Sequence, residues 1–396
     1  TPTHTPKPTP PRRHNSPPPP PPPTPTAKPT TTTTTKRPVD RTGNVLVLYN
    51  SSVVRSTASE KGTKVATVSR GQFLTGIGGK KDSEGTLWYN VKVDDTKTGW
   101  ISSDVAQLRV GDNANLGLNT SSKRYLKRTL TVSKSTKIYS AAKTTSTKIA
   151  TVSSGKKFTT SKWQSDSNGT TWFGITYNGK SAWISSKAVT ISDSFTAPPE
   201  KDFSKEGTPI IYLSPSNQTS NKYSYGNTTE QKEMYRVAQE LRDILESEYV
   251  CEVRIPPVSL AVTQSGRAYE AYLCGADFYL AIHSNAANGK NNGATAYYFP
   301  AGTRSKTFAT SIVDEMKKIA PKKSTVTRPL QDGMQAFNKQ GYSDIRNPGF
   351  YGMPSVLAEV EYHDNNAGAK WIINNPKPIA RALANSLEKT MGLRKR

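Results

Sequence analysis

From residue 207 onward the apolar residues keep two rhythms. Short dense runs over 209–213, 250–255, 277–283, 294–299 and 356–361 read as strands. Between them, apolar positions three and four apart predict helices over 264–275, 305–320 and 377–392. Another helix runs to about Tyr249, with Met234, Val237, Leu241 and Ile244 on one face and Thr228 with Gln231 as a capping box. Strands alternating with helices predict an α/β domain over 207–396, its largely parallel sheet flanked by helices. In such sheets, reactive groups gather where strands end.

Residues 43–192 follow a different pattern, with β-branched and aromatic residues alternating in short runs broken by Gly, Asp and Ser. The pattern occurs twice. Lys64-Val-Ala-Thr-Val-Ser-Arg-Gly71 returns as Lys148-Ile-Ala-Thr-Val-Ser-Ser-Gly155, and Asp82-Ser-Glu-Gly-Thr-Leu-Trp88 as Asp166-Ser-Asn-Gly-Thr-Thr-Trp172. Trp100-Ile-Ser-Ser103 returns as Trp183-Ile-Ser-Ser186. Two small all-β barrels are predicted, over 43–110 and 123–192. Residues 1–39 hold 15 of the 28 prolines and a threonine run, so they predict a disordered, extended spacer of the kind that carries O-glycans. The chain opens on Thr1, which reads as a processed product with no signal peptide of its own.

Charge sharpens this division. The chain carries +24: six basic and no acidic residues over 1–39, 23 against 10 over 40–195, and 25 against 20 beyond. The excess therefore lies in the N-terminal half and favours a polyanionic partner: nucleic acid, an anionic membrane or an anionic wall. No run approaches the roughly 20 apolar residues of a membrane span. No phosphate loop, Walker motif or nucleic-acid signature occurs, and no Gly-x-Ser-x-Gly elbow.

Of four histidines, His4 and His14 lie in the proline tract. His283 and His363 each fall just past a strand core, in Ala281-Ile-His-Ser-Asn-Ala286 and Glu359-Val-Glu-Tyr-His-Asp-Asn365. A strand-end histidine serves either as a hydrogen-bonded structural residue or as a metal ligand, and the nearby carboxylates suit the second role. Cys251 and Cys274 lack a CxxC spacing and read as buried free thiols or, after export, a disulfide.

The runs Ser52-Val-Val-Arg-Ser56, Leu87-Trp-Tyr-Asn-Val91 and Gly99-Trp-Ile-Ser-Ser103 resemble bacterial SH3 domains. The second copy departs at Tyr139 and Ala182. Trp88, Trp100, Trp172 and Trp183 are then core residues or ligand platforms. Residues 207–393 resemble zinc-dependent N-acetylmuramoyl-L-alanine amidases of the amidase-3 type. Glu230 opens the first helix as that family requires, His283 matches its Ser-Ile-His-x-Asn-Ala histidine, and Glu359, led by Pro354-Ser-Val-Leu, matches its catalytic glutamate. One position departs: Ser214-Pro-Ser-Asn-Gln218 puts Asn217 where the first zinc histidine stands.

This departure leaves two readings. In one, His363 takes the vacant place, so that Glu230, His283 and His363 hold zinc, an open position holds water, and Glu359 is the general base with Glu361 as rival. In the other, the domain has lost its metal and only binds the wall. On an ideal strand residues 359 and 363 share a face but lie about 13 Å apart at ~3.3 Å per residue, so the first reading needs a bend after Tyr362. The resemblance implies a secreted, wall-associated peptidoglycan hydrolase. It would be held by two SH3-like barrels on peptidoglycan or anionic wall polymers, with no nucleic-acid partner.

Overall fold

The computed structural model describes residues 39–121, 123–166, 170–258 and 263–396. The expected spacer lies outside them but for its last residue. The described residues form one compact unit.

Two β modules come first. The strands from Thr42–Val47 to Ala106–Leu108 make a seven-stranded antiparallel sheet. Those from Leu126–Val132 to Val189–Phe195 make a five-stranded and a three-stranded sheet. The sequence repeat is a structural repeat: Trp88 Nε1 donates to Asp82 at 2.8 Å and Trp172 Nε1 to Asp166 at 2.9 Å. Arg55 pairs with Trp100 across strands as Tyr139 pairs with Trp183. Gly71 and Gly155 hold the same turn at φ +85° and +81°, a conformation that side chains with a Cβ resist. Trp88 and Trp172 are core residues, whereas Trp100 and Trp183 are half-buried.

In the C-terminal domain we label the strands β1 (Ile210–Pro215), β2 (Glu252–Arg254), β3 (Phe278–Asn285), β4 (Thr295–Tyr298), β5 (Leu330–Asp332) and β6 (Ser355–Tyr362). The helices are α1 (Glu230–Glu248), α2 (Gln264–Leu273), α3 (Arg304–Ile319), α4 (Ala336–Lys339), α5 (Ser343–Phe350), α6 (Asn366–Asn374) and α7 (Pro376–Met391). The sheet order is β2-β1-β3-β6-β4-β5, parallel except where β4 meets β6. It is thus a mixed sheet, and the expected strands and helices lie within a few residues of their predicted bounds. Helix α1 forms because Met234, Val237, Leu241 and Ile244 make one stripe, and all four are fully buried. Its cap is Thr229, whose hydroxyl accepts from Lys232 N–H, one residue beyond the predicted Thr228. The Thr228 hydroxyl instead donates to Glu233 at 2.6 Å. Cys251 and Cys274 are both free and buried, so the disulfide alternative is not realised.

The first module is joined to this domain by buried charge. Arg109 and Glu252, whose side chains are 0% and 2% exposed, pair at 2.9 Å. The same carboxylate accepts from Gln107 Nε2 at 2.8 Å and from Val110 N–H at 2.9 Å. Arg254 binds Glu270 and donates to the carbonyls of Ser103 and Asp104. Arg41 with Glu246 and Lys81 with Asp243 complete the seam. Among the described residues no helix is long and apolar enough to cross a membrane.

Candidate active site

Three chain segments meet at the C-terminal end of β1 and β3. Helix α1 begins with Glu230, 1% exposed, in the first turn, where the helix dipole favours a carboxylate. Strand β3 carries His283, and its Nδ1 lies 2.8 Å from Glu230 Oε1. Strand β6 runs parallel to β3 with Glu359 in register beside His283, so the two side chains share a face. One oxygen of Glu359, Oε2, is buried with no hydrogen-bond partner. A buried carboxylate oxygen without a partner is costly unless something enters the site to meet it.

The electrostatics are uneven. Burial raises the Glu359 carboxyl to about 7: His283 pulls it down, while Glu230 and Asp344 push it further up. Burial would lower the His283 imidazole, but the bond to Glu230 and its charge outweigh that and set its pKa at about 9. Glu230, which burial alone would raise, is held below the ordinary carboxylate value by that bond and by Asn221. The site therefore combines a neutral-range carboxyl with an imidazolium anchored on a carboxylate.

The loop before α1 supplies two residues that the sequence did not single out. Asn221 Nδ2 donates to Glu230 Oε2 and to Gln218 Oε1, both at 2.8 Å. With its oxygen so engaged, Gln218 turns its amide NH2 toward His283, 3.4 Å from Nδ1. Asn217, in the place of the missing histidine, faces away to Gln264 at 3.4 Å. Nothing in the spacing marks Asn221, because its role depends on the loop folding back onto the helix start.

His363 does not join this cluster. Strand pairing runs His283↔Glu359 but then Asn285↔Tyr362, so β6 holds one extra residue there. A single inserted residue reverses the facing of the residues after it. His363 accordingly meets Ser284, on the opposite side of β3 from His283: Nδ1 is 2.9 Å from Ser284 Oγ, and the ring stacks on Tyr223 at 4.9 Å. Its carbonyl accepts from Ser224, and its N–H donates to Asn285. His363 thus fastens the loop that carries Gln218 and Asn221 to the strand ends. His363→Ala should lower stability by about 1–3 kcal/mol in urea unfolding, because buried Ser284 loses one of its two hydroxyl partners and the Tyr223 ring loses its stacking neighbour. His363→Gln should recover part of it. The rival base Glu361 is occupied too, its Oε1 accepting from Gly293 N–H at 2.7 Å and Tyr362 N–H at 2.9 Å.

The donor set of Glu230, His283 and His363 does not fit a three-ligand zinc centre. Glu230 and His283 are adjacent, 2.8 Å apart, but His363 bonds Ser284 on the opposite face of β3. Gln218 presents a donor, Asn217 turns away and His363 lies on the other face. Among the described residues, no three His, Cys, Asp or Glu side chains converge as a metal cluster.

The site places a neutral-range carboxyl beside an imidazolium at the strand ends of an α/β sheet, and the comparisons with known proteins supply the class of the domain that carries it. Residues 211–389 match the family model of N-acetylmuramoyl-L-alanine amidases, and residues 51–106 that of bacterial SH3 domains. The chain thus contains an amidase-type domain and a bacterial SH3 domain. Similar solved structures include the catalytic domain of the amidase CwlV from Bacillus (Paenibacillus) polymyxa var. colistinus, at 18% identity and TM-score 0.39, over 47% of this chain and 100% of that one. An amidase from Clostridium difficile 630 is similar at 17% identity and TM-score 0.39, over 47% and 98%. AmiC2 of Nostoc punctiforme is similar at 16% and 0.38, again over 47% and 98%. No curated protein matches the chain.

Proposed function

We propose that the protein hydrolyses the amide between N-acetylmuramic acid and L-alanine in peptidoglycan, with Glu359 as general base, and that its β modules hold it on the wall. The observation that carries this reading is the buried, unpartnered Glu359 oxygen beside His283, in a domain that matches the amidase family. A carboxyl near neutrality can take a proton from water and return it to the departing amine. His283, kept protonated by Glu230, has no partner for Nε2 among the described residues and can donate to the developing oxyanion. Asn221 keeps Glu230 aligned by donating to its second oxygen.

The pH profile follows from these two groups. Glu359 works deprotonated, so the rate rises as pH climbs through about 7. His283 works protonated, so the rate falls as pH passes about 9. A bell between those limits is expected in kcat/KM, measured by release of L-alanine amino termini from purified walls. A profile flat across both limits contradicts the assignment.

A second reading, wall binding without turnover, is favoured by the closed Glu230–His283 pair and by Asn217. The same assay separates the two, run on the full chain with and without chelator and added zinc. Hydrolysis that survives chelation supports the acid–base reading. Hydrolysis only with zinc restores the metal mechanism that the family resemblance implies. Wall binding with no new termini supports the second reading.

A further inference from the structure

The positive charge of the two β modules is not shared between them. Residues 43–110 hold nine basic against six acidic side chains, whereas residues 123–192 hold thirteen against one. That single acid, Asp166, accepts from Trp172 Nε1 and from Thr170 N–H inside the module's own framework. Of the thirteen cations only Arg128 is buried, paired with Asp193. The other twelve are exposed, and among the described residues none of them is in an ion pair. Eleven are lysines.

The first module spends its charge differently. Lys81 and Arg109, with Arg41 just before it, pair with Asp243, Glu252 and Glu246 of the C-terminal domain. Of its nine cations, two fasten it in place, two pair within the module and five face solvent, against twelve facing solvent in the second. Twelve unpaired cations on so small a surface repel one another and raise its potential, a cost that only an outside anion relieves. Three of them converge at one end. The turn holding Lys134 bonds the segment holding Lys187 through Ser133 N–H to the Ala188 carbonyl at 2.8 Å. Lys156 joins through its own carbonyl, which accepts from Val132 N–H at 2.9 Å.

We propose that the second β module is the docking surface for a linear phosphodiester polymer of the cell wall, and that the first module is a structural collar with no such role. Lysine suits this partner, because each ammonium is a compact point charge with three rotatable donors that can follow a flexible chain of phosphates. The wall is favoured over nucleic acid because the module is part of one compact unit with an amidase-type domain. The proposal deepens the wall-holding part of the proposed function and does not depend on turnover.

The test is retention of the full chain on isolated Gram-positive walls before and after hydrofluoric acid strips their phosphodiester polymers. Stripping should weaken binding at least about tenfold. So should raising salt from about 0.1 M to about 1 M, which shortens the screening length from about 10 Å to about 3 Å. The triple variant Lys134→Gln, Lys156→Gln, Lys187→Gln should lose about tenfold, and the control Lys61→Gln, Lys64→Gln, Lys92→Gln less than about twofold; all six lysines are exposed, so folding is spared. Equal binding to stripped walls, equal losses in the two triple variants, or binding to duplex DNA as tight as to intact walls would each overturn it. Glu359→Gln should bind intact walls like the parent, which keeps failure of the hydrolytic reading separate.

Discussion

Glu359→Gln should abolish release of L-alanine amino termini, by about 10²–10⁴-fold in kcat, while wall binding stays unchanged. The substitution keeps the size of a side chain that stands in register beside His283 and removes only its ability to take a proton. Glu361 cannot stand in, because its carboxylate is committed to the backbone of Gly293 and Tyr362. Replacing the neighbour is a contrasting case. Glu230→Gln should remove the charge that helps hold His283 at about 9, while its amide oxygen can still accept from Nδ1, so the alkaline limit of the profile moves down. A Glu359→Gln protein with more than about a tenth of parental kcat would remove this residue from the role of base.

The other large effect lies far from the chemistry. Arg109→Ala should destabilise the protein by about 3–5 kcal/mol, the cost of leaving a buried charge without its partner. Glu252 would keep Gln107 and the Val110 N–H but, at 2% exposure, lose the one cation that pairs with it among the described residues. The double variant Arg109→Met with Glu252→Leu should recover most of the loss, because an apolar pair of similar volume restores packing without desolvated charge. Equilibrium unfolding in urea measures both. A loss under about 1 kcal/mol for Arg109→Ala would mean that the seam is not a structural joint. The same seam predicts that a fragment starting near residue 207 unfolds more readily than the whole chain, since Glu252, Arg254 and Glu270 all lose partners from the first module.

Much of the C-terminal fold was legible because its signals are local. A stripe at Met234, Val237, Leu241 and Ile244 has one helical solution, and the dense run into His283 reads as a buried strand. His283 could be named because it falls just past a strand core, and Glu230 and Glu359 because the family resemblance fixes their places on the first helix and the last strand. His363 could not be placed by the same arithmetic. Counting by twos from Glu359 puts it on the His283 face, and one extra residue in β6 reverses that. Pairing register depends on the neighbouring strand, which no single segment encodes. Asn221, Gln218 and the Arg109–Glu252 joint escaped for a related reason: their partners lie 9, 65 and 143 residues away. The short α4, α5 and α6 lie outside the predicted elements because four, eight and nine residues carry little periodicity.

Everything proposed for the chemistry depends on Glu230, His283 and Glu359 forming a working hydrolytic site. Its most direct test is end-group analysis of walls digested by the chelated full chain, counting new L-alanine amino termini against newly freed lactyl carboxylates. Both should appear in equal amounts, and neither should appear with Glu359→Gln. Walls that are bound but yield no new termini from the parent protein would contradict it.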